Sequence, residues 1–254
     1  MKKIILLSFL TVLAFAPQAN AADSHAPELP DVKFGFEGPF GTYDRGALQR
    51  GFQVYKNVCA ACHSMKYLSY RNLTDLGYDE GQIKAIAAEY EVTDGPNDEG
   101  DMFTRTARPS DGFPMPYEND KQARYANNGA LPPDLSLMAK ARVGGADYIY
   151  ALMTGYEEAP EGETLGNGQH WNKYMPGHKI AMAAPLADDV VAYEDGSPTT
   201  THQYAKDVSE FLMWAAEPKM EERKKTGIKV ILFLLMFAGV MYAVKKKIWA
   251  DLKK

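Results

Sequence analysis

The sequence predicts an all-α fold with long loops and one C-terminal transmembrane helix. Three observations carry this reading. Apolar residues recur at helical spacing in several segments, while no stretch alternates apolar and polar residues as a half-buried strand does. Gly and Pro breakers separate the helical segments, as in Pro96, Gly100, Pro109, Gly112, Pro114 and Pro116. The run Ile228 to Val244 is apolar apart from Lys229, with Arg223-Lys224-Lys225 before it and Lys245-Lys246-Lys247 after it.

Taken in order, Lys2-Lys3, the apolar run Ile4 to Ala16 and Ala19-Asn20-Ala21 form a charged start, an apolar core and a small-residue cleavage site. Residues 1–21 are therefore expected as a secretory signal, cut before Ala22. The apolar run is shorter than the roughly 20 residues a spanning helix needs. Ala22 to Pro39 contains Pro and Gly and is expected to be extended. Gly46 to Ala61 reads as a helix, because Leu48, Phe52 and Tyr55 fall on one face. Asp75 to Tyr90 reads as a second helix, and Thr93 to Arg124 as loop. Leu135 to Arg142 and Ala146 to Thr154 are shorter helices, and Glu157 to Pro185 is irregular. Thr201 to Ala216 places Tyr204, Val208, Phe211 and Ala215 on one face, an amphipathic helix ended by Pro218. No internal repeat is present.

This gives an exported domain over 22–218, a charged linker over 219–226, a membrane anchor over 227–244 and a cytoplasmic tail over 245–254. The stretch from Thr226 to Val244 makes about 28 Å of helix, close to the thickness of the bilayer core. Lys229 lies near one end, where its stem can reach the interface. Both flanks are basic, so orientation rests on the export signal.

The exported part holds 16 Lys and Arg against 30 Asp and Glu, a net charge of −14. Such a domain repels nucleic acid and attracts basic proteins. Glu89, Glu91, Asp94, Asp98, Glu99 and Asp101 form an acidic run with no Lys or Arg between them. The run is either a solvated loop or a docking surface for a basic soluble partner. The chain has only two cysteines, so no long-range disulfide is available and any further staple must be a cofactor.

Those two cysteines carry the chemistry. Cys59-Ala60-Ala61-Cys62-His63 is C-x-x-C-H, the attachment signature of c-type haem. Two thiols three positions apart can bond the two vinyl groups on one porphyrin edge, and the next residue places an imidazole under the iron. A thioredoxin-like redox pair would need a βαβ context that the sequence lacks. A zinc site needs about four ligands, and His25, His170, His178 and His202 have no ligand spacing. The expected cofactor is thus one covalent haem c, held by Cys59 and Cys62 with His63 on the iron. A Met or His as sixth ligand favours electron transfer. Met175, in Met175-Pro176-Gly177, and Met182, in Ala181-Met182-Ala183-Ala184-Pro185, both qualify. Small neighbours give Met182 a modest edge.

Several longer stretches extend the pattern: Arg50-Gly51-Phe52-Gln53-Val54-Tyr55, the segment Ala126 to Ser136 with Asn127-Asn128-Gly129 and Pro132-Pro133-Asp134, Ile180 to Leu186, Tyr193-Glu194-Asp195-Gly196, and Trp214 to Lys219. In these the chain resembles the cytochrome c1 family, the haem subunit of the cytochrome bc1 complex. The resemblance implies a c-type cytochrome domain and makes Met182, not Met175, the sixth iron ligand. It implies that Arg124 serves the haem propionates and that Pro132-Pro133 walls the haem pocket. One departure is that Ala184 stands before Pro185, where the family usually has Pro-Pro. No additional cysteine pair of the kind found in some bacterial relatives is present.

The implied role is electron transfer from the Rieske iron–sulfur protein to a soluble basic cytochrome c. Cytochrome b and membrane lipid would be its further partners, in a bacterial inner membrane with the haem domain on the periplasmic side. The chain would perform no bond-making chemistry itself; the complex is the quinol–cytochrome c oxidoreductase. The alternatives are an anchored c-type subunit of another respiratory complex, such as a terminal oxidase, and a haem enzyme or gas sensor.

Overall fold

The computed structural model describes residues 27–250. The expected signal lies outside the described residues. Helices dominate, in the order α1 (Arg45–Asn57), α2 (Glu80–Ala88), α3 (Asp120–Ala126), α4 (Met138–Ala141), α5 (Gly145–Thr154), α6 (Thr201–Ala216) and α7 (Met220–Ile248). This agrees with the all-α reading.

α1 and α6 form the centre. Asp44 starts α1 by accepting the N–H groups of Gly46 and Ala47 at 2.9 and 3.3 Å, which satisfies donors that a helix start leaves free. Thr200 does the same for α6 through Gln203. The helices cross closely at Gly51, where an added Cβ would lie 2.1 Å from the Asp207 carbonyl oxygen and 2.6 Å from Phe211 Cβ. Glycine's cost within a helix, about 0.5–1 kcal/mol relative to alanine, is offset here by that approach. Around the crossing, Phe52, Tyr55, Phe211 and Phe113 form an aromatic cluster of tilted and edge-on pairs with centroids 5.8–6.1 Å apart.

The sequence assigned α6 one apolar face. The structure buries Tyr204, Val208, Phe211 and Ala215 as expected, and Asp207, Ser209 and Glu210 as well. Helices pack on α6 from several sides, α1, α4 and α5 among them, so its polar residues are enclosed and must be paired. Asp207, 1% exposed, accepts from Arg50 Nε and Nη2 at 2.9 and 3.1 Å, from Tyr193 at 3.0 Å and from Gln203 at 3.0 Å. Glu210 accepts the Asp44 N–H at 2.9 Å, and burial pushes its carboxyl above the ordinary range. Buried polar groups of this kind are costly unless paired.

Several segments differ from the sequence expectation. The expected helix Asp75–Tyr90 is divided into a 3-10 helix, Tyr70–Leu76, and α2. Gly77, at φ +97°, ends the first, and Asp79 caps the second through Gln82. The stretch 93–124, expected as loop, contributes to a two-stranded hairpin, β1 (Glu91–Asp94) with β2 (Phe103–Thr106), and the start of α3. The hairpin's strands are four residues long and largely exposed, too short and polar for an alternating pattern. In 157–185 a second hairpin pairs β3 (His170–Trp171) with β4 (Lys179–Ile180).

Of the expected linker, 219–226, all but the capping Lys219 is helical and continuous with the anchor, since α7 runs without a break over 29 residues. α7 is long and apolar enough to cross a membrane. Its first turns dock on the domain. Met220 is buried, Glu221 accepts from the Tyr43 N–H at 2.9 Å and Arg45 at 3.0 Å, and Lys224 donates to the Phe36 and Gly41 carbonyls. Truncation after Lys225 should therefore give a soluble domain that melts several degrees above one truncated after Glu217. Burial of Met220 alone is worth about 1.5–3 kcal/mol, and for a domain of this size each kcal/mol moves Tm by about 2–4 °C. Thermal melts of the two fragments check this. Equal melting temperatures would mean that α7's first turns add nothing to the domain.

Candidate functional site

α1 ends where the motif begins. After Asn57 the chain tightens into a 3-10 turn, Cys59–Ala61. The Cys59 carbonyl accepts from both Cys62 N at 3.1 Å and His63 N at 2.9 Å. One carbonyl thus gathers Cys59, Cys62 and His63 into a single turn. Neither cysteine is in a disulfide. Cys59 packs against the core, and burial pushes its thiol up to about 12.

His63 is held by the segment the sequence marked as Pro132-Pro133-Asp134. Its Nδ1 lies 2.8 Å from the Pro133 carbonyl oxygen. A carbonyl only accepts, so Nδ1 carries the proton and Nε2 keeps a free lone pair. A second-sphere bond of this kind fixes the tautomer of a metal-binding histidine. Burial lowers the imidazole's proton affinity, against the opposing pull of Pro133 and Asp134, and so favours the neutral ring that binds metal.

Two further residues build this cradle, and sequence reasoning assigned them no role. Asp134 accepts from Ser64 Oγ at 2.8 Å, Lys66 N at 3.0 Å and Ser136 N at 3.0 Å. Burial pushes its carboxyl up, but these hydrogen bonds outweigh burial and leave it below the usual range. Ser136 is fully buried and accepts the Tyr67 N–H at 3.1 Å. The Leu135 N–H completes the splice by bonding the Ser64 carbonyl at 2.9 Å. The segment after Pro133 is thereby sewn to the segment after His63. An acid directly after Pro-Pro, two residues before a serine, was the available signal.

Arg124 sits in the last turn of α3, exposed, with Nη1 donating to the Gly129 carbonyl at 3.1 Å. It has no carboxylate partner among the described residues. The Gly129 N–H returns a bond to the Arg124 carbonyl at 2.7 Å, so the arginine is part of the turn that leads to Pro132-Pro133. Pro133 contributes its carbonyl to His63, a contact more specific than a wall.

The two candidate methionines are differently engaged. Met175 has its N–H bound to Asn172 Oδ1 at 3.2 Å and its sulfur 3.9 Å from the Tyr148 hydroxyl of α5. Met182 is half-buried two residues beyond β4, and its carbonyl accepts from Tyr156 at 3.1 Å. The sulfur of Met175 is thus already turned toward α5. One imidazole nitrogen with a fixed tautomer and two free cysteines in a single turn suit an iron porphyrin attached by its vinyl groups.

The chain matches the Cytochrome C1 family over residues 34–252. It belongs to that family. Its relatives in the cytochrome c1 family span bacteria and mitochondria. It is 51% identical to the protein named cytochrome c1 2, heme protein, mitochondrial, of Arabidopsis thaliana, across 98% of this chain and 79% of the relative. It is 46% identical to the protein named cytochrome c1 of Rhodospirillum rubrum, across 95% of this chain and 94% of the relative. A protein of Bradyrhizobium diazoefficiens named cytochrome b/c1 is 50% identical across 92% of this chain, and the chain spans only 37% of that longer relative.

Proposed function

We propose that the chain is a membrane-anchored cytochrome with one covalent haem c. In this reading it takes an electron from the Rieske iron–sulfur protein and passes it to a soluble basic cytochrome c, within a quinol-oxidising bc1 complex. The observation that carries the reading is the His63–Pro133 bond directly after the Cys59–Cys62 turn, which leaves Nε2 as a ready iron ligand. Cys59 and Cys62 would attach the haem by thioether bonds, with Met182 as the sixth ligand and Arg124 near the propionates. The haem supplies the one-electron couple. The residues of the chain hold it, orient it and set its potential through the ligands and their hydrogen bonds.

Cytochrome b is the expected membrane partner, a reading that the name of the Bradyrhizobium relative supports. α7 would hold the chain in the inner membrane, with the haem domain in the periplasm. The chain is then an electron-transfer subunit, and the oxidoreductase is the complex. The test is to purify the complex from membranes and identify its chains and haems. Co-purification of a dihaem cytochrome b and an iron–sulfur protein supports the proposal. A terminal oxidase in their place overturns it.

The acidic run is less free than its sequence suggests. Glu89 pairs with Lys56 at 2.5 Å. Asp94 pairs with Arg105, which also holds Asp111 at 2.6 and 3.0 Å. Glu91, Asp98, Glu99 and Asp101 remain exposed and without ion pairs among the described residues. Changing Glu91, Asp98 and Glu99 to their amides, with Asp94 kept for Arg105, should slow reduction of a basic cytochrome c at low salt. The difference should vanish at high salt, because the screening length is only about 8 Å at 0.15 M, and steering acts mainly on encounter. Stopped-flow rates across a salt series decide it, and identical salt slopes for variant and wild type would make the run a solvated loop.

A further inference from the structure

The segment that carries Met182 has no long element of its own. β3 and β4 are two residues each, and the turn between them contains His178 at φ +61°. Something else must hold it. The structure points to Asn172, a side chain with 0% exposure at the base of this turn.

Asn172 makes hydrogen bonds in three directions. Its Nδ2 donates to the Leu152 carbonyl in the last turn of α5 at 2.8 Å, satisfying one of the acceptors that a helix C-terminus leaves free. Its Oδ1 accepts from Tyr174 N at 3.0 Å and Met175 N at 3.2 Å, folding the turn back on itself. Its own N–H donates to the His178 carbonyl at 2.8 Å, across the hairpin mouth. It also pairs with Tyr156 in an isolated antiparallel bridge, and the Tyr156 hydroxyl is the group that donates to the Met182 carbonyl. The approach to α5 is tight, for a Cβ on Gly155 would lie 2.5 Å from the Tyr174 ring. The side chain therefore ties a rigid helix end to the strand that emerges two residues before Met182. It also holds Met175 on the side of α5.

We propose that Asn172 is the positioning residue for the sixth iron ligand: it clamps the 172–178 turn to the end of α5 so that β4 delivers Met182, and not Met175, to the iron. This rests on the reading of Met182 as that ligand. Asn172 does not touch the iron; it acts through the backbone of its own hairpin and through Tyr156. Amide geometry is required, because the site uses one donor and both acceptor lone pairs of a single planar group. Leucine, of similar size, offers neither.

The test uses the full haem-loaded chain and reads the far-red charge-transfer band of methionine-ligated ferric haem, together with carbon monoxide binding to the ferrous form. Asn172→Leu should keep covalent haem yet lose the band in most molecules and bind carbon monoxide, which wild type excludes. Asn172→Asp keeps both accepted bonds but, as a carboxylate, replaces the donor to Leu152 with an acceptor facing that carbonyl, so it should show a partial loss; it also decides the matter if the leucine variant fails to fold. Asp207→Asn, whose partners Arg50, Tyr193 and Gln203 make no hydrogen bond to this turn, should lower the melting temperature and leave the band intact. The proposal is overturned if both Asn172 variants keep the full band and exclude carbon monoxide, or if Asp207→Asn loses as much band as they do. Met182→Leu separates the two readings: if it keeps the band, the ligand assignment fails, whatever the Asn172 variants show.

Discussion

Under the proposed ligation, Met182→Leu should lower the haem's reduction potential by a sizeable part of the roughly 0.8 V that axial ligands span. Leucine keeps the volume and apolarity of the side chain and removes only the sulfur, which favours reduced iron. Carbon monoxide then binds the ferrous haem. For a one-electron couple each 59 mV is about tenfold in equilibrium constant, so a fall of about 180 mV disfavours electron arrival roughly a thousandfold. Onward flow to the acceptor should stop. Met175→Leu should leave the potential and the ligand spectrum unchanged, since its sulfur faces the Tyr148 hydroxyl. Potentiometric titration of both variants checks the assignment, and the reverse pattern would make Met175 the ligand.

Cys59→Ala with Cys62→Ala should abolish covalent haem, because both thioether positions disappear. The expected loss goes beyond the cofactor. Cys59 and Ala60 pack on the core beside α1, and the Pro133 segment is joined to the other side of the motif through His63, Ser64 and Asp134. Without the haem to hold these segments, the chain should accumulate poorly in membranes. Haem staining after denaturing electrophoresis, with immunodetection of the chain, separates the two effects. A double variant that accumulates with haem still bound through denaturation would refute attachment at these cysteines.

What the sequence could reveal differs by element, for physical reasons. The turn Cys59–His63 was legible because its chemistry is compressed into five consecutive residues. α1 and α6 were legible because each has an apolar face that repeats at helical spacing. The burial of α6's polar residues was not, since Asp207 and Glu210 read as a solvent face until their partners Arg50 and Asp44 are known. α3 was missed in a Pro- and Gly-rich stretch, although Asn119, which caps Lys121 and Gln122, was a readable start signal. The linker was read from its charges alone; in three dimensions Glu221 and Lys224 bind the domain.

The site shows the same division. Residues whose function lies in their own chemistry, the two cysteines, the histidine and the methionines, could be named from residue type and context. Residues that act by holding others could not. Asp134 and Ser136 earn their place through bonds to a segment about 70 positions away. Asn172 sits in a run that reads as irregular loop. Arg124 is singled out through the family resemblance, and among the described residues its side chain bonds only a backbone carbonyl.

The most direct test follows the haem of this chain in the purified membrane complex by stopped-flow absorbance after quinol is added. The account predicts that this haem is reduced before soluble cytochrome c, that it is reoxidised as cytochrome c is reduced, and that removing the iron–sulfur protein stops its reduction. The account is contradicted if soluble cytochrome c is reduced at the full rate while this haem stays oxidised.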